Sequence, residues 1–231
     1  MGNSKGYIRA FSMDTAQEKK PLFDPKVRDK EVVSIDISAD GRQLVAAYKQ
    51  GSLKLWDLKK YKLVHEMEDV AMQGTGEFIL ARFLYTFKDY TFIITAERNG
   101  RVRIVNVKRK LLGSISHLVN SLYESDFKQV SSIAAQPQKT SKNRSKQDEL
   151  KNQSCLTAIS GPDQVSIVQL RPFPAKPIKV IKRPQVCNQY RAPTLAWGRG
   201  LTPSSSQHHS TQLLVIAWDQ IIQIVRVVEE R

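Results

Sequence analysis

The chain repeats one short pattern five times: a turn residue, then a strand with apolar side chains at the second and fourth positions after it. The five copies occupy residues 6–10, 51–57, 100–104, 163–167 and 220–224. Their turn residues stand 45, 49, 63 and 57 positions apart. A period of about 40–45 residues with roughly four strands per unit is typical of a β-propeller blade. The pattern therefore predicts an all-β protein, and by itself it indicates an interaction scaffold.

The first complete unit has the strand order of a WD-repeat blade. Alternating segments predict strands at 32–37, 43–48, 52–57 and 63–67, and the third ends in Trp56-Asp57. The Asp40-Gly41 pair between the first two tolerates the left-handed conformation that tight turns use. Upstream, residues 6–13 are predicted to form one further strand.

The second unit follows the same order. It predicts strands at 79–86, 90–97 and 101–107 and an edge strand at 111–115. Asn99-Gly100 is a strong hairpin signal. Arg101 and Arg103 alternate with apolar residues, so we expect both arginines on the solvated face of their strand.

Two further units complete the pattern. The third predicts strands at 130–135, 155–159, 165–170 and 178–181, and the fourth at 193–198, 213–218 and 221–228, without an outer strand. Residues 6–13 could close that last blade in a four-bladed ring. The favoured prediction is a single WD-type β-propeller domain over residues 1–231, with about four recognisable blades, that forms part of a larger propeller. An incomplete ring would expose apolar sheet edges.

Two polar insertions, residues 136–154 and 199–212, are predicted to be flexible loops. The first contains no aromatic residue and is rich in cations. It is the candidate partner-binding site, through Lys139, Lys142, Arg144, Lys146 and Lys151. A tolerated insertion at a blade edge is the alternative interpretation.

The chain carries 36 Lys and Arg against 22 Asp and Glu, a net charge of +14. This excess favours association with phosphate groups of nucleic acid or of acidic lipids, although it also serves solubility. Cys155 and Cys187 lack metal-site spacing and are expected to be reduced thiols. With neither a long apolar run nor a signal sequence at the N-terminus, the expected location is the cytoplasm or a membrane surface reached through partners.

No convincing catalytic, cofactor or metal site can be assembled from the sequence. His65 falls on a predicted outer strand, His117 at a strand end, and the His208-His209 pair in the second polar loop, near Ser204. Two histidines without a third ligand make a weak metal site. Three tryptophans, at 56, 197 and 218, could stack on bases, but their apolar strands favour core or inter-blade packing.

Several strings together resemble one family. They are Gly51-Ser-Leu-Lys-Leu-Trp-Asp57 and its continuation to Leu63, Gly74-Thr-Gly76, Ile93-Ile-Thr-Ala-Glu-Arg-Asn-Gly100 and its continuation to Ile104, Ala192-Pro-Thr-Leu-Ala-Trp-Gly198, and Leu214-Val-Ile-Ala-Trp218. In this order they are similar to blades of vacuolar protein sorting-associated protein 8. The resemblance implies a subunit of the CORVET membrane tether that engages early-endosomal Rab GTPases, peripheral on endosomal membranes. Full-length members add a helical solenoid and a RING domain, which two cysteines cannot build, so the resemblance covers the propeller alone.

We therefore expect a non-enzymatic scaffold that acts in vesicle tethering during endosomal and vacuolar protein sorting. Its expected partners are other tether subunits, a Rab-type GTPase and, peripherally, an acidic membrane. The alternative is a WD-repeat scaffold that binds RNA or a ribonucleoprotein through its basic surface.

Overall fold

The computed structural model describes residues 2–12, 14–22, 24, 30–68, 77–87, 90–109, 115–124, 130–135, 156–169, 176–187, 193–199 and 211–228. Within these ranges, fifteen β-strands form four antiparallel sheets. The chain divides into two compact units, Met1–Lys128 and Gln129–Arg231. That all of it forms a single domain remains a prediction.

The first unit contains two four-stranded sheets. Blade 1 consists of β1 (Val32–Ile37), β2 (Gln43–Tyr48), β3 (Leu53–Asp57) and β4 (Lys62–Met67). Blade 2 consists of β5 (Phe78–Phe87), β6 (Tyr90–Glu97), β7 (Arg101–Arg109) and β8 (Ile115–Glu124). In both blades each strand pairs with the next one along the chain, which is the meander expected of short hairpin connections.

The second unit contains the other two sheets. Blade 3 consists of β9 (Ser132–Ala135), β10 (Leu156–Ser160), β11 (Gln164–Gln169) and β12 (Lys176–Lys182). Blade 4 has three strands, β13 (Thr194–Arg199), β14 (Thr211–Trp218) and β15 (Ile221–Val228), and no fourth strand joins this sheet among the described residues. The all-β prediction of about four blades is confirmed. The ends of the segment predicted as a loop at 199–212 belong to β13 and β14.

Glycine explains why the first three copies of the pattern begin as they do. Gly6, Gly51 and Gly100 have φ angles of 83°, 93° and 88°. This left-handed region costs an L-residue with a side chain about 1 kcal/mol or more, and glycine enters it freely. The turns at Gly51 and Gly100 close with hydrogen bonds from their amides to the carbonyls of Tyr48 and Glu97.

The outer strand of blade 2 extends beyond the segment predicted for it. Residues 111–114 of that segment lie outside the described residues, whereas β8 runs from Ile115 to Glu124 and residues 116–124 are not predicted as strand by the pattern. Polar residues such as Ser116, His117 and Asn120 break the apolar alternation of this segment, so the pattern gave no strand signal there. Pairing with β7 supplies the ladder instead, from Arg109 opposite Ile115 to Arg101 opposite Glu124.

The predicted strand at residues 6–13 is also wrong. Ile8 and Leu22 form an isolated antiparallel bridge, with amide-to-carbonyl distances of 3.1 and 2.9 Å. A second bridge pairs Phe11 with Glu18, and its hydrogen bonds come from the flanking amides of Ser12 and Lys19. The segment is held by its side chains more than by a ladder, because Ile8 and Leu22 are buried in a cluster with Leu44, Ala46, Tyr48 and Trp56 of blade 1. The N-terminal segment therefore covers one face of that blade.

Blades bury both of their faces. Leu53, Lys54, Leu55 and Trp56, four consecutive residues of β3, are all buried. Leu53 and Leu55 pack toward blade 2, and Trp56 packs on the opposite side with the N-terminal segment. Blade 3 packs on blade 4 in the same manner, with Val165 and Ile167 against Leu214 and Ile216. Since both faces are covered, polar residues at the alternate positions are carried into the interior.

Blade 4 breaks this rule on one face. Ile222 and Ile224 occupy the apolar positions of the fifth copy of the pattern, equivalent to Val165 and Ile167 of blade 3. They are 71% and 64% exposed. The opposite side of the same strand, with Val225 and Val227, is buried against blade 3. The apolar pattern is thus the same in both strands, and only the covering of the face differs.

Candidate functional site

The polar position at the centre of the repeated pattern carries buried charge in the first unit. Lys54 occupies it in blade 1 and Arg103 in blade 2, and both are almost fully buried. Ser166, at the same position in blade 3, is buried as well. A buried charge is stable only when it is paired and hydrogen-bonded, so the partners of each residue determine what this position can do.

Lys54 forms a buried ion cluster. Its Nζ donates to Asp24 Oδ2 and Glu66 Oε1, and its side chain is 0% exposed. Glu66 lies directly opposite Lys54 in the β3–β4 register, whereas Asp24 comes from the N-terminal segment. Burial raises the pKa of the neighbouring Tyr48 above its usual range, and the two carboxylates raise it further. The cluster joins the N-terminal segment to blade 1.

Arg103 forms the corresponding pair in blade 2. Its Nε lies 2.9 Å from Glu97 Oε1, and both side chains are nearly inaccessible. The expectation that Arg101 and Arg103 share a solvated face is wrong, because Arg101 is exposed and Arg103 is buried. A sheet covered on both faces has no solvated side in its interior, and an alternating pattern cannot reveal that covering.

Two histidines meet between blades 1 and 2. His65 Nε2 of β4 lies 3.0 Å from His117 Nδ1 of β8, with the rings inclined at 62°. Burial lowers the pKa of His65 below its usual value, the adjacent His117 lowers it further, and Glu66 opposes the shift. Sequence reasoning placed His65 on the correct strand but did not bring the two together. Residues 52 positions apart in the chain carry no local signal of such a contact.

The first strands of neighbouring blades are joined by side chains that bind backbone groups. In the first unit, Ser34 Oγ binds the amide and carbonyl of Ala81 at 3.1 and 3.2 Å, and Asp36 Oδ2 accepts from the Phe83 amide at 2.8 Å. In the second unit, Trp197 Nε1 donates to the Ala134 carbonyl at 2.8 Å. These bonds satisfy backbone groups that the sheet ladders leave open.

The tryptophans serve packing. Trp56 and Trp218 are buried, and Trp197 is half-buried in the interface of blades 3 and 4. Trp218 additionally lies under Arg183, whose guanidinium carbon is 5.2 Å from the ring centroid. The preferred prediction of core and inter-blade packing is confirmed, and none of the three offers an open platform for a base.

These clusters have the chemistry of structural contacts. Their charges face one another, and in the described ranges no group of three or more His, Cys, Asp or Glu side chains could hold a metal ion. Cys187 is a free, buried thiol in the interface of blades 3 and 4. Several residues considered in the sequence analysis as candidates for binding or chemistry lie outside the described residues: Lys139, Lys142, Arg144, Lys146, Lys151, Cys155, Ser204, His208 and His209.

The exposed surface carries the interaction candidates. Strand β12, the outer strand of blade 3, exposes four consecutive residues from Pro177 to Val180. Strand β4, the outer strand of blade 1, is half-buried from Leu63 to Glu66 and ends in buried Met67. Thus equivalent outer strands differ in how much of their surface is open to partners. Over the part of the chain that the structure describes, there is no helix long and apolar enough to cross a bilayer.

Three comparisons place these features among known proteins. The crystal structure of the Myceliophteria thermophila Cps50 (Swd1) β-propeller domain superimposes with a TM-score of 0.56 at 16% identity, over 96% of this chain and 59% of that one. The likeness shows the propeller fold, and this chain spans about three fifths of that domain's length. No curated protein matches the chain. The family model described as Vps8 β-propeller matches residues 1–231, so the chain belongs to the Vps8 β-propeller family.

Proposed function

We propose that this protein is a non-enzymatic interaction scaffold of vesicle tethering in endosomal and vacuolar protein sorting. The observation that carries the proposal is the match of the Vps8 β-propeller model to residues 1–231. The structure supports it because the buried ions and histidines serve structural contacts, whereas β12, the outer strand of blade 3, is exposed and open to partners. Rigid sheets that position variable surface segments suit partner recognition.

The proposed partners are other subunits of a tethering complex and a Rab-type GTPase, and the proposed location is the cytoplasmic face of endosomal membranes. A Rab GTPase presents its switch segments in an ordered form only when the γ-phosphate is bound. Binding of a Rab by this protein should therefore require the GTP form. The basic loop at 136–154, with its five cations, remains the proposed partner-binding segment.

The experiment is affinity purification of the full chain from its own cells, with mass spectrometry before and after nuclease treatment. We expect tether subunits and a Rab GTPase, retained after nuclease. Purified Rab candidates loaded with a non-hydrolysable GTP analogue or with GDP then give the nucleotide dependence. Equal recovery of both forms, or recovery of neither with no tether subunit present, would contradict the proposal.

The second candidate is a scaffold for RNA or a ribonucleoprotein, which the net charge of +14 favours. The affinity for a phosphate backbone falls steeply as the salt concentration rises. A protein with about six to ten phosphate contacts loses about three to five powers of ten in affinity between about 50 and 200 mM salt. Partners that vanish with nuclease, together with a steep salt dependence of RNA binding, would favour this function over tethering.

A further inference from the structure

Half of the net positive charge comes from one segment of the second unit. No Asp or Glu stands between Asp163 and Asp219, whereas seven Lys and Arg do: Arg171, Lys176, Lys179, Lys182, Arg183, Arg191 and Arg199. The segment therefore contributes +7 of the total +14. Such a separation of charge along the chain concentrates positive potential on the elements built from it.

Strand β12 and the turn after it present part of this charge beside exposed aliphatic side chains. Ile178 and Val180 are 51% and 48% exposed, and Val186 of the turn is 76% exposed. Lys179 and Lys182 are exposed as well. Val180 and Lys182 are two positions apart on a regular stretch of strand, so they project from the same face. We call residues 177–186 the basic rim.

The outward edge of the basic rim is poorly suited to adding a strand from another protein. The Arg183 amide donates to the Asp163 carbonyl, so the backbone groups of Arg183 face β11. In an antiparallel pair these directions alternate, so the amide and carbonyl groups of Lys182 and Val180 point away from the sheet. Pro177 and Pro184 bracket this short stretch, and neither has an amide hydrogen. Lysine and proline on an edge strand are the usual protection against strand pairing.

The side chains of the rim are also poorly suited to nucleic acid. Single-stranded binding surfaces interleave cations with aromatic rings on which bases stack. The exposed apolar residues here, Ile178, Val180 and Val186, are branched aliphatics. Trp218, the ring that lies against Arg183 of this segment, is buried. Aliphatic side chains beside lysines suit a bilayer with acidic headgroups instead. Such a bilayer is anionic at its surface and apolar just beneath it.

We propose that the basic rim binds an anionic lipid bilayer, with Lys179 and Lys182 at the headgroups and Ile178, Val180 and Val186 at the boundary of the acyl chains. This contact rests on the proposed tethering function, because it would orient a tether subunit on its membrane. Each lysine at an anionic surface strengthens partitioning about fivefold. A contact surface of this size binds a bilayer weakly and reversibly. Stable attachment of the protein to the membrane therefore also needs a second signal, such as a Rab GTPase.

The test is co-sedimentation of the full chain with vesicles of phosphatidylcholine alone or with about 30% phosphatidylserine, a composition that gives a strong negative surface potential. We expect binding to the anionic vesicles only, lost in high salt. Lys179→Glu with Lys182→Glu should weaken partitioning at least about tenfold. Ile178→Ser with Val180→Ser should weaken it severalfold, since the apolar contribution is lost.

Two matched controls make the result specific. Lys59→Glu with Lys60→Glu changes the same number of exposed lysines in the turn after β3. Ile222→Ser with Ile224→Ser removes two aliphatic side chains that are more exposed than Ile178 and Val180. They lie outside the basic rim, on a strand where Arg226 is an exposed cation. Both controls should bind like the unmodified protein. Because all of these positions are exposed, we expect every variant to fold, and circular dichroism checks this.

Equal loss in the Lys59 and Lys60 variant would show diffuse charge attraction and overturn the inference, as would no binding to anionic vesicles at all. Unchanged vesicle binding by the rim variants, with loss of binding to single-stranded RNA, would also overturn it by assigning the rim to nucleic acid. A protein that captures tether subunits and a GTP-bound Rab but not lipid would retain the proposed function and refute only the rim contact.

Discussion

His65 Nε2 and His117 Nδ1 lie 3.0 Å apart and join the outer strands of blades 1 and 2. Of two neutral imidazoles in this geometry, one donates an N–H and the other accepts it. When both rings are charged, two N–H groups face one another and the bond is lost. The pair thus ties a contact between two sheets to the protonation state of its histidines.

Acid should weaken the first unit through this pair. Because the folded pKa of His65 is depressed, the unfolded chain binds its proton more readily, and unfolding is favoured as the pH falls through the unfolded value, about 6.5. The stabilising contribution is complete above that value and is lost below it. Urea unfolding at about pH 7.5 and about pH 5.5 measures the change. The His65→Gln variant, which cannot titrate, should show a smaller pH dependence, and an equal dependence in both proteins would contradict the prediction.

Replacing Lys54 by methionine should destabilise the protein by about 3–5 kcal/mol, since Asp24 and Glu66 would remain buried without their cation. The control is Lys49→Met. Lys49 pairs with Glu31 at 3.4 Å on the surface, where such pairs contribute about 0–1 kcal/mol. The two free energies of unfolding, compared in the same denaturant series, should differ by several kcal/mol. Similar losses in both variants would refute a special role for the buried cluster.

Arg101 and Arg103 provide a second matched comparison, two positions apart on β7. Arg103→Leu leaves buried Glu97 without its partner and should cost about 3 kcal/mol or more. Arg101→Leu changes an exposed side chain and should alter stability by about 0.5 kcal/mol or less. Thermal unfolding of the two variants checks this difference. If both behaved alike, the buried position of Arg103 would be wrong.

Ile167 and Ile224 occupy the same position of the repeated pattern in blades 3 and 4. Ile167 is fully buried against blade 4, so Ile167→Ala should cost about 2–5 kcal/mol. Ile224 is 64% exposed, and Ile224→Ala should cost about 0.5 kcal/mol or less. Denaturant midpoints of the two variants measure the contrast. A large loss for Ile224→Ala would mean that another surface covers its face.

Much of the fold could be predicted from the sequence because alternating strands and their turn residues are local signals. Strands β1, β2, β6 and β15 begin and end where the alternating pattern predicts them. Their turns contain residues such as Gly51 and Gly100 that accept a left-handed backbone. The unpredicted residues 116–124 of β8 and the wrong strand at residues 6–13 show the limit of that reasoning. Their structure depends on pairing and burial supplied by distant residues, and a local pattern cannot report these.

The candidate site was less predictable than the fold. Lys54 and Glu66 are cross-strand partners, and a correct register for β3 and β4 would have suggested their pairing. Asp24 belongs to the N-terminal segment, and no spacing rule connects it to Lys54. The predicted binding loop at 136–154 remains a prediction, because all five of its cations lie outside the described residues.

The sequence by itself determined that this protein is built of blade-like sheets, since a period-two pattern repeated at blade spacing needs no long-range information. Only the tertiary structure decided which side of each strand meets solvent. Blades covered on both faces bury Lys54 and Arg103 and force them to find carboxylates, while the uncovered face of blade 4 leaves Ile222 and Ile224 exposed. The physical reason is that alternation assigns residues to two faces, but burial depends on what packs against each face.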